Sequence, residues 1–172
     1  MVAADRELGG YWEQQFLAMM RNEGYGVHRF AKAPSPVVDT PDGTTILADG
    51  WVLQRKGDNY LCEIKHKNPY KRIKQSGEYG LEQYRLNHLQ RLQRWVGDPA
   101  MYVIHNHDLS GGRDNRINNV AHWFIAPIAD LAVSPFMRKA QGPSYVDGRR
   151  EMVLICYWPI SEWLPLSDWL QQ

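Results

Sequence analysis

The sequence predicts one α/β domain, residues 1–172, in which helices flank a mixed central β-sheet. Two observations support this fold class. Apolar residues recur at helical spacing in two separate segments, and segments rich in β-branched and aromatic residues lie between and after them. With 172 residues, 44% of them hydrophobic, the chain is long enough to bury one core. It is too short for two ordinary domains or for a TIM barrel.

The first predicted element is a helix over residues 7–23. Its apolar stripe, which Glu13 adjoins, consists of Leu8, Trp12, Phe16, Met19 and Met20. Gly24 and Gly26 end this helix. A short strand is predicted over residues 26–33, and it stops at the prolines that follow.

Residues 45–66 predict an antiparallel β-hairpin. Two β-rich segments, 45–55 and 59–66, are separated by the polar break Lys56-Gly57-Asp58, which has a glycine at its centre. Pro69 ends the second segment because proline cannot donate a hydrogen bond to a neighbouring strand.

The second half of the chain predicts a long helix and further strands. Helical spacing over residues 80–96 places five apolar side chains near one side of that helix: Leu81, Tyr84, Leu89, Leu92 and Trp95. Gly97 ends the helix. Extended segments follow at residues 100–106, 121–128 and 150–158, and the tail 161–172 predicts short helical turns.

The formal net charge of +1 is distributed unevenly along the chain. Residues 1–64 carry a net charge of −3 and residues 117–172 a net charge of −1, whereas residues 65–116 carry +5. The densest basic run is KHKNPYKRIK, residues 65–74. An overall charge near zero argues against a dedicated nucleic-acid binder, but this local concentration favours contact with a polyanion. A solvated surface is the alternative interpretation.

Three polar side chains of the hairpin are the main candidates for chemistry. Glu63 and Lys65 share one face of the strand LCEIK. Asp49 lies in the apolar segment ILADGWV, where an unpartnered carboxylate is costly, and Gly50 indicates a bend or a close approach. Pairing across the turn brings Asp49 toward Glu63, and converging carboxylates are the ligands that Mg²⁺ prefers. A cross-strand ion pair is the alternative.

In order and spacing, these residues resemble the PD-(D/E)XK nuclease superfamily. Asp49 is followed by thirteen residues and then by Glu63-Ile64-Lys65. A helix with an acidic residue precedes them, and a helix rich in Tyr, Gln and Arg follows. The resemblance covers residues 7–106 and implies a restriction-endonuclease-like core with the element order αβββαβ. Ala48 stands where the family name has Pro.

The resemblance implies a metal-dependent deoxyribonuclease that hydrolyses DNA phosphodiester bonds with a metal-activated water. Its cofactor would be Mg²⁺, with Mn²⁺ as a substitute. Asp49 and Glu63 would bind the metal, and the Ile64 carbonyl would add a backbone ligand. Lys65 would position or activate the water, and Glu13 would be an accessory acidic residue, with helix capping or a surface ion pair as its alternative role.

The basic run gains a role from this resemblance. Its residues beyond the predicted active strand would grip DNA phosphates, with the tyrosine stacking on a base: Lys67, Tyr70, Lys71, Arg72 and Lys74. On the following helix, supporting groups would be either Gln83 with Tyr84 or Gln75 with Tyr79. A module that keeps the nuclease fold and binds nucleic acid without cleaving it is the alternative function, and a homodimer or a partner protein is left open.

The histidines and the cysteines form two further patterns. His105 and His107 have zinc-ligand spacing, which His88 or His122 would complete, but polar loop residues are the favoured interpretation. Cys62 and Cys156 lie in apolar runs, which indicates buried free thiols. Together with the lack of an apolar run long enough for a membrane span, this predicts a cytoplasmic protein that does not bind membranes.

Overall fold

The structure of the protein, a computed structural model, describes residues 2–29, 37–39, 45–47, 50–67, 69, 77–112, 115–146 and 149–172. The helices are α1 (Val2–Asn22), α2 (Gln83–Val96), α3 (Ile128–Val133) and α4 (Leu166–Trp169). The strands are β1 (Gly26–Arg29), β2 (Val37–Asp39), β3 (Thr45–Leu47), β4 (Trp51–Arg55), β5 (Asp58–Lys67), β6 (Glu78–Glu82), β7 (Ala100–Asn106), β8 (Trp123–Pro127), β9 (Arg138–Val146), β10 (Arg149–Pro159) and β11 (Leu164–Pro165). No helix within these ranges is long and apolar enough to cross a membrane.

Six of the described strands form the central sheet, in the order β1-β4-β5-β7-β8-β11. The pair β5–β7 is parallel, whereas β1–β4, β4–β5, β7–β8 and β8–β11 are antiparallel. A parallel pair needs a crossover connection, and α2 lies in the segment that joins β5 to β7. The mixed central sheet with flanking helices that the sequence predicts is therefore confirmed.

The hairpin at the centre of the sheet is confirmed for β4 and β5. Arg55 pairs with Asp58, so the turn consists of Lys56 and Gly57. Both turn residues have positive φ, 52° and 93°, as a two-residue turn of the type I′ class requires. The first arm is shorter than expected, however. Thr45–Leu47 pairs with Val37–Asp39 in a separate two-stranded sheet, so residues 45–55 do not form one strand.

The helical prediction for residues 80–96 is wrong at its start. Glu78–Glu82 forms β6, and α2 begins only at Gln83. The cause is tertiary: Tyr79 lies opposite Trp158 and Leu81 opposite Cys156 in β10, which places both side chains in the core. Strand pairing with a distant segment thus overrides the local helical spacing. Trp95, predicted on the apolar side, is 45% exposed.

A second sheet, in the order β6-β10-β9, is absent from the sequence prediction. Its middle strand, β10, is the buried strand expected over residues 150–158, but only its second half is buried. The partner β9 covers a segment that the sequence analysis left unassigned.

The two faces of the central sheet bury separate cores. On one face α1 packs against Cys62, Met101 and Val103. On the other face α2, α3 and the second sheet pack against Leu61, Tyr102 and Ile104. Adjacent residues of β5 therefore point into different environments, which decides what surrounds each candidate residue.

Candidate active site

Glu63 and Lys65 lie on the face of β5 that is turned toward α2. Cys62, one residue before Glu63, lies in the core beneath α1, and side chains alternate along a strand. Glu63 is only 5% exposed, and the Lys65 ammonium lies 2.7 Å from its Oε1 atom. The pair predicted from the sequence is therefore a real contact at the centre of the sheet.

A third charged group joins this pair from α2. Arg85 Nη1 donates to the same Glu63 oxygen, Oε1, at 3.0 Å. Although burial lowers the pKa of Arg85, the nearby charges of Glu63, Tyr84 and Glu82 raise it overall. Lys65 and Arg85 thus both place a positive charge beside the nearly buried Glu63 carboxylate. Both contact its Oε1 atom, and neither contact involves Oε2.

Glu82 and Lys67 extend the cluster toward the second sheet. Lys67 Nζ donates to the Gly80 carbonyl at 2.6 Å, and burial lowers the pKa of Lys67. Burial disfavours ionised Glu82, but the charge of Lys67 and hydrogen bonds from its own backbone and from Ser144 lower the Glu82 pKa to about 2. Ser144 Oγ donates to Glu82 Oε1 at 2.8 Å, whereas Glu82 Oε2 is buried without a hydrogen-bond partner among the described residues.

The resulting set of charges, which we name the charged cluster, consists of Glu63, Lys65, Lys67, Glu82 and Arg85. Sequence reasoning did not select Glu82, and it placed both Glu82 and Arg85 on one continuous helix. Their actual positions, at the end of β6 and in the first turn of α2, follow from the pairing of β6 with β10. Lys67 was predicted to contact phosphate, and its ammonium instead points at Gly80; the predicted role itself stays a prediction.

Glu13 lies on the other side of the sheet. It is in the middle of α1, and its Oε1 accepts a hydrogen bond from Trp51 Nε1. Trp51 lies opposite Cys62 and packs against the core beneath α1. Glu13 and Glu63 are therefore held on opposite faces of β5, and the accessory role of Glu13 stays a prediction.

Five predicted site residues lie outside the described residues: Asp49, Tyr70, Lys71, Arg72 and Lys74. Gly50, the residue after Asp49, lies within the described part of the chain. A Cβ atom added to Gly50 would lie 2.9 Å from the Cys62 carbonyl oxygen, too close for a real side chain. The backbone beside Asp49 thus approaches β5 within one residue of Glu63, which is the close approach expected of this glycine.

The predicted backbone ligand, Ile64, and the predicted supporting residues Gln83 and Tyr79 are among the described residues. Ile64 is half-buried, and its side chain packs on the α1 side. Gln83 Nε2 donates to Asn87 Oδ1, and its Oε1 accepts from the Cys156 thiol. Tyr79 is fully buried and accepts a hydrogen bond from Asn106, while Gln75 lies outside the described residues. These contacts do not choose between the two supporting pairs.

The histidines form a separate cluster on the α1 face. His105 is fully buried in β7 and stacks on Trp12 with 3.7 Å between ring centroids, so it is not a loop residue. His66 links it to His107: the His66 Nδ1 to His105 Nδ1 distance is 2.8 Å, and the His107 Nδ1 to His66 Nε2 distance is 3.1 Å. The sequence analysis missed His66, although its position two residues after Ile64 places it on this face.

Burial disfavours the charged form of these histidines. It lowers the pKa of His105 to about 3 and of His66 to about 4, and neighbouring histidines add to both shifts. Among the described residues, no group of three or more His, Cys, Asp or Glu side chains is arranged to hold a metal ion. The arrangement is that of a packed aromatic cluster.

Comparison with known proteins supports the fold. No protein-family model matches the chain, and no curated protein matches its sequence. One solved structure that matches is Hjc, a Holliday junction resolvase from the archaeal hyperthermophile Archaeoglobus fulgidus, with a TM-score of 0.52. The two chains are 14% identical, and the match covers 95% of this chain and 96% of that chain. This match confirms the predicted α/β fold class.

Proposed function

We propose that the protein is a Mg²⁺-dependent nuclease that hydrolyses DNA phosphodiester bonds at the Glu63–Lys65 pair. The observation that carries this proposal is the placement of these two residues. A carboxylate only 5% exposed on a central strand lies 2.7 Å from a lysine two residues later. Burying charged groups is costly, so their retention in the middle of a sheet favours a chemical role over a structural one.

The residues fit a metal site in part. The described residues supply one carboxylate of the proposed set, Glu63, and its Oε2 atom is outside the contacts with Lys65 and Arg85. Asp49 would supply the second carboxylate and the Ile64 carbonyl a third oxygen. The close approach of Gly50 to Cys62 supports this, because it brings the chain next to Asp49 up to β5. Oxygen ligands of this kind suit Mg²⁺, which keeps several waters.

The cations of the charged cluster would act on the phosphate and the water. Bound Mg²⁺ would stabilise charge on the phosphate and acidify a water. Lys65, 31% exposed at its side chain, reaches solvent from the Glu63 carboxylate and would orient the attacking water. Arg85, held against Glu63, would stabilise negative charge that develops on the phosphate oxygens.

DNA is the proposed substrate because of the charge pattern and the structural neighbour. Residues 65–74, which begin at Lys65, carry five cations, and the neighbour is described as a Holliday junction resolvase. A four-way DNA junction is therefore the first substrate to test, beside a linear duplex of the same sequence and a single strand.

The test compares cleavage with binding. We expect wild-type protein to cleave DNA with Mg²⁺ or Mn²⁺, and we expect Glu63→Gln and Lys65→Met to lose at least about a hundredfold in rate while still binding DNA. The matched controls are Glu23→Gln and Lys56→Met, both exposed in the structure, which should cleave as wild type does.

One specific observation favours the non-cleaving alternative. Lys65 and Arg85 already neutralise Glu63, which would reduce its affinity for a cation. If wild-type protein binds DNA but cuts none of the three substrates with either metal, the nuclease proposal is wrong and a nucleic-acid-binding module is the remaining function.

A further inference from the structure

The strands β9 and β10 extend beyond the second sheet as a two-stranded ribbon. β6 pairs with β10 only over Ile155–Pro159, whereas β9 pairs with β10 from Arg149 to Tyr157. Residues 149–154 therefore pair only with residues 141–146 among the described strands. We name this two-stranded part the distal ribbon. At about 3.3 Å per residue it is about 20 Å long.

The distal ribbon is exposed and carries apolar side chains. Met152 is 65% exposed and Leu154 38% exposed, and Arg149, Arg150 and Glu151 are exposed as well. A two-stranded ribbon is marginally stable in water by itself, and exposed apolar side chains grouped on one element are typical of a binding surface.

One face of the ribbon combines these apolar residues with positive charge. Arg150, Met152 and Leu154 share a face because they alternate along β10. Pro143 lies opposite Met152 and Gln141 opposite Leu154. Just beyond the distal ribbon, at its root, the exposed Lys139 lies opposite the buried Cys156 on the continuation of this face. The described part of this face carries no carboxylate, and two cations bracket its apolar centre. Glu151 lies on the other face.

The root of the ribbon adjoins the charged cluster. Ser144 of β9 donates to Glu82, and Glu82 lies opposite Ile155 of β10. Glu82 in turn interacts with the charges of Lys67 and Lys65. Because Ser144 lies opposite Glu151, this contact is on the face of the ribbon opposite to Arg150, Met152 and Leu154.

We propose that the distal ribbon binds duplex DNA, with Met152 and Leu154 in a groove and with Arg150, and Lys139 at the root of the ribbon, at phosphates. This inference rests on the proposed function and adds a substrate-binding element to it. The major groove of DNA, about 12 Å wide, admits a two-stranded β-ribbon. A second copy of the chain fits less well, because a two-fold packing of this face would place Arg150 of one copy near Lys139 of the other.

The first test measures DNA binding by fluorescence anisotropy on a labelled duplex without divalent metal. We expect the double variant Arg150→Ala with Met152→Ser to weaken binding about tenfold and to reduce the slope of log Kd against log salt by about one. The matched control is Arg21→Ala with Val133→Ser, which removes one exposed arginine and one exposed apolar side chain elsewhere. Equal Kd and equal slope in the ribbon variant and wild type would overturn the proposal.

A second test identifies the partner without depending on stability. Replacement of Met152 by p-benzoylphenylalanine followed by irradiation should yield a protein–DNA adduct. A protein–protein adduct without a DNA adduct would assign the face to a second copy and overturn the proposal. The two proposals fail separately. If the wild type forms DNA adducts but does not cleave DNA, the ribbon proposal stands and the nuclease proposal is wrong. If cleavage requires Glu63 but the ribbon variant binds DNA as wild type does, the nuclease proposal stands and the ribbon proposal is wrong.

Discussion

Lys65 Nζ lies 2.7 Å from Glu63 Oε1, two residues earlier on the same strand. Because side chains two apart on a strand stand side by side, the sequence pattern alone places them on one face. The tertiary structure adds the nearly complete burial of Glu63 and the contact with Arg85. Both additions change what substitutions at this site should do.

Replacement of Arg85 should destabilise the fold. Arg85→Ala leaves a buried carboxylate with one cation instead of two, and we expect the free energy of unfolding to fall by about 1–3 kcal/mol. Urea denaturation measures this, with the exposed Arg91→Ala on the same helix as control, expected within about 0.5 kcal/mol of wild type. In a Glu63→Gln background the loss should shrink. An undiminished loss would mean that Arg85 stabilises the fold without Glu63.

A side chain at Gly50 should disturb the site through the backbone. Gly50→Ala places a Cβ atom 2.9 Å from the Cys62 carbonyl oxygen, so β4 and β5 must separate next to Glu63. We expect a loss of about 1–3 kcal/mol in thermal or urea unfolding. Gly10→Ala is the control, and it should raise the free energy of unfolding. A Cβ atom at this helical position meets open space, and alanine should stabilise the helix by about 0.5–1 kcal/mol. Wild-type stability of Gly50→Ala would contradict the close approach.

The buried histidines should make the fold sensitive to acid. Burial and the neighbouring histidines His66, His122 and His107 lower the pKa of His105 to about 3 in the folded protein, below the ordinary value near 6.5. The unfolded chain therefore takes up the proton more readily, so stability is complete above about pH 6.5 and falls as the pH drops toward 3.

The variant His105→Phe tests this by removing the titrating group while keeping a ring against Trp12. Its unfolding free energy should fall less than that of wild type between pH 7.5 and pH 5, by about 1–2 kcal/mol. Titratable groups that do not contact His105 contribute equally in both proteins, so their effect cancels in this comparison. The control His28→Phe replaces an exposed histidine and should keep the wild-type slope; an equal slope in His105→Phe would refute the explanation.

Both cysteines should be unreactive in the folded protein. Cys62 and Cys156 are buried free thiols, and burial raises the pKa of each. The thiolate is the reactive form, so we expect a disulfide reagent such as DTNB to label neither at pH 8 until urea unfolds the chain, when two thiols should react. Asp58→Cys, at an exposed position, should add one fast-reacting thiol. Rapid labelling of the native wild type would show that a cysteine is accessible.

The local patterns predicted those elements whose partners lie nearby in the chain. The turn at Lys56-Gly57 and the strands on either side follow from residues within the hairpin itself, as does the helix that begins the chain. The segment from Glu78 to Glu82 was misread because its partner, β10, lies more than seventy residues away. Helical spacing of leucines carries no information about such a partner.

By itself the sequence determined the fold class and the pairing of Glu63 with Lys65, because alternation along one strand and the order of helices and strands are local properties. Only the tertiary structure decided which charges surround that pair. It brought Arg85 and Glu82 to the face turned toward α2, and it held Glu13 with Trp51 on the opposite face. The physical reason is that burial and electrostatic partners depend on how distant strands and helices pack together.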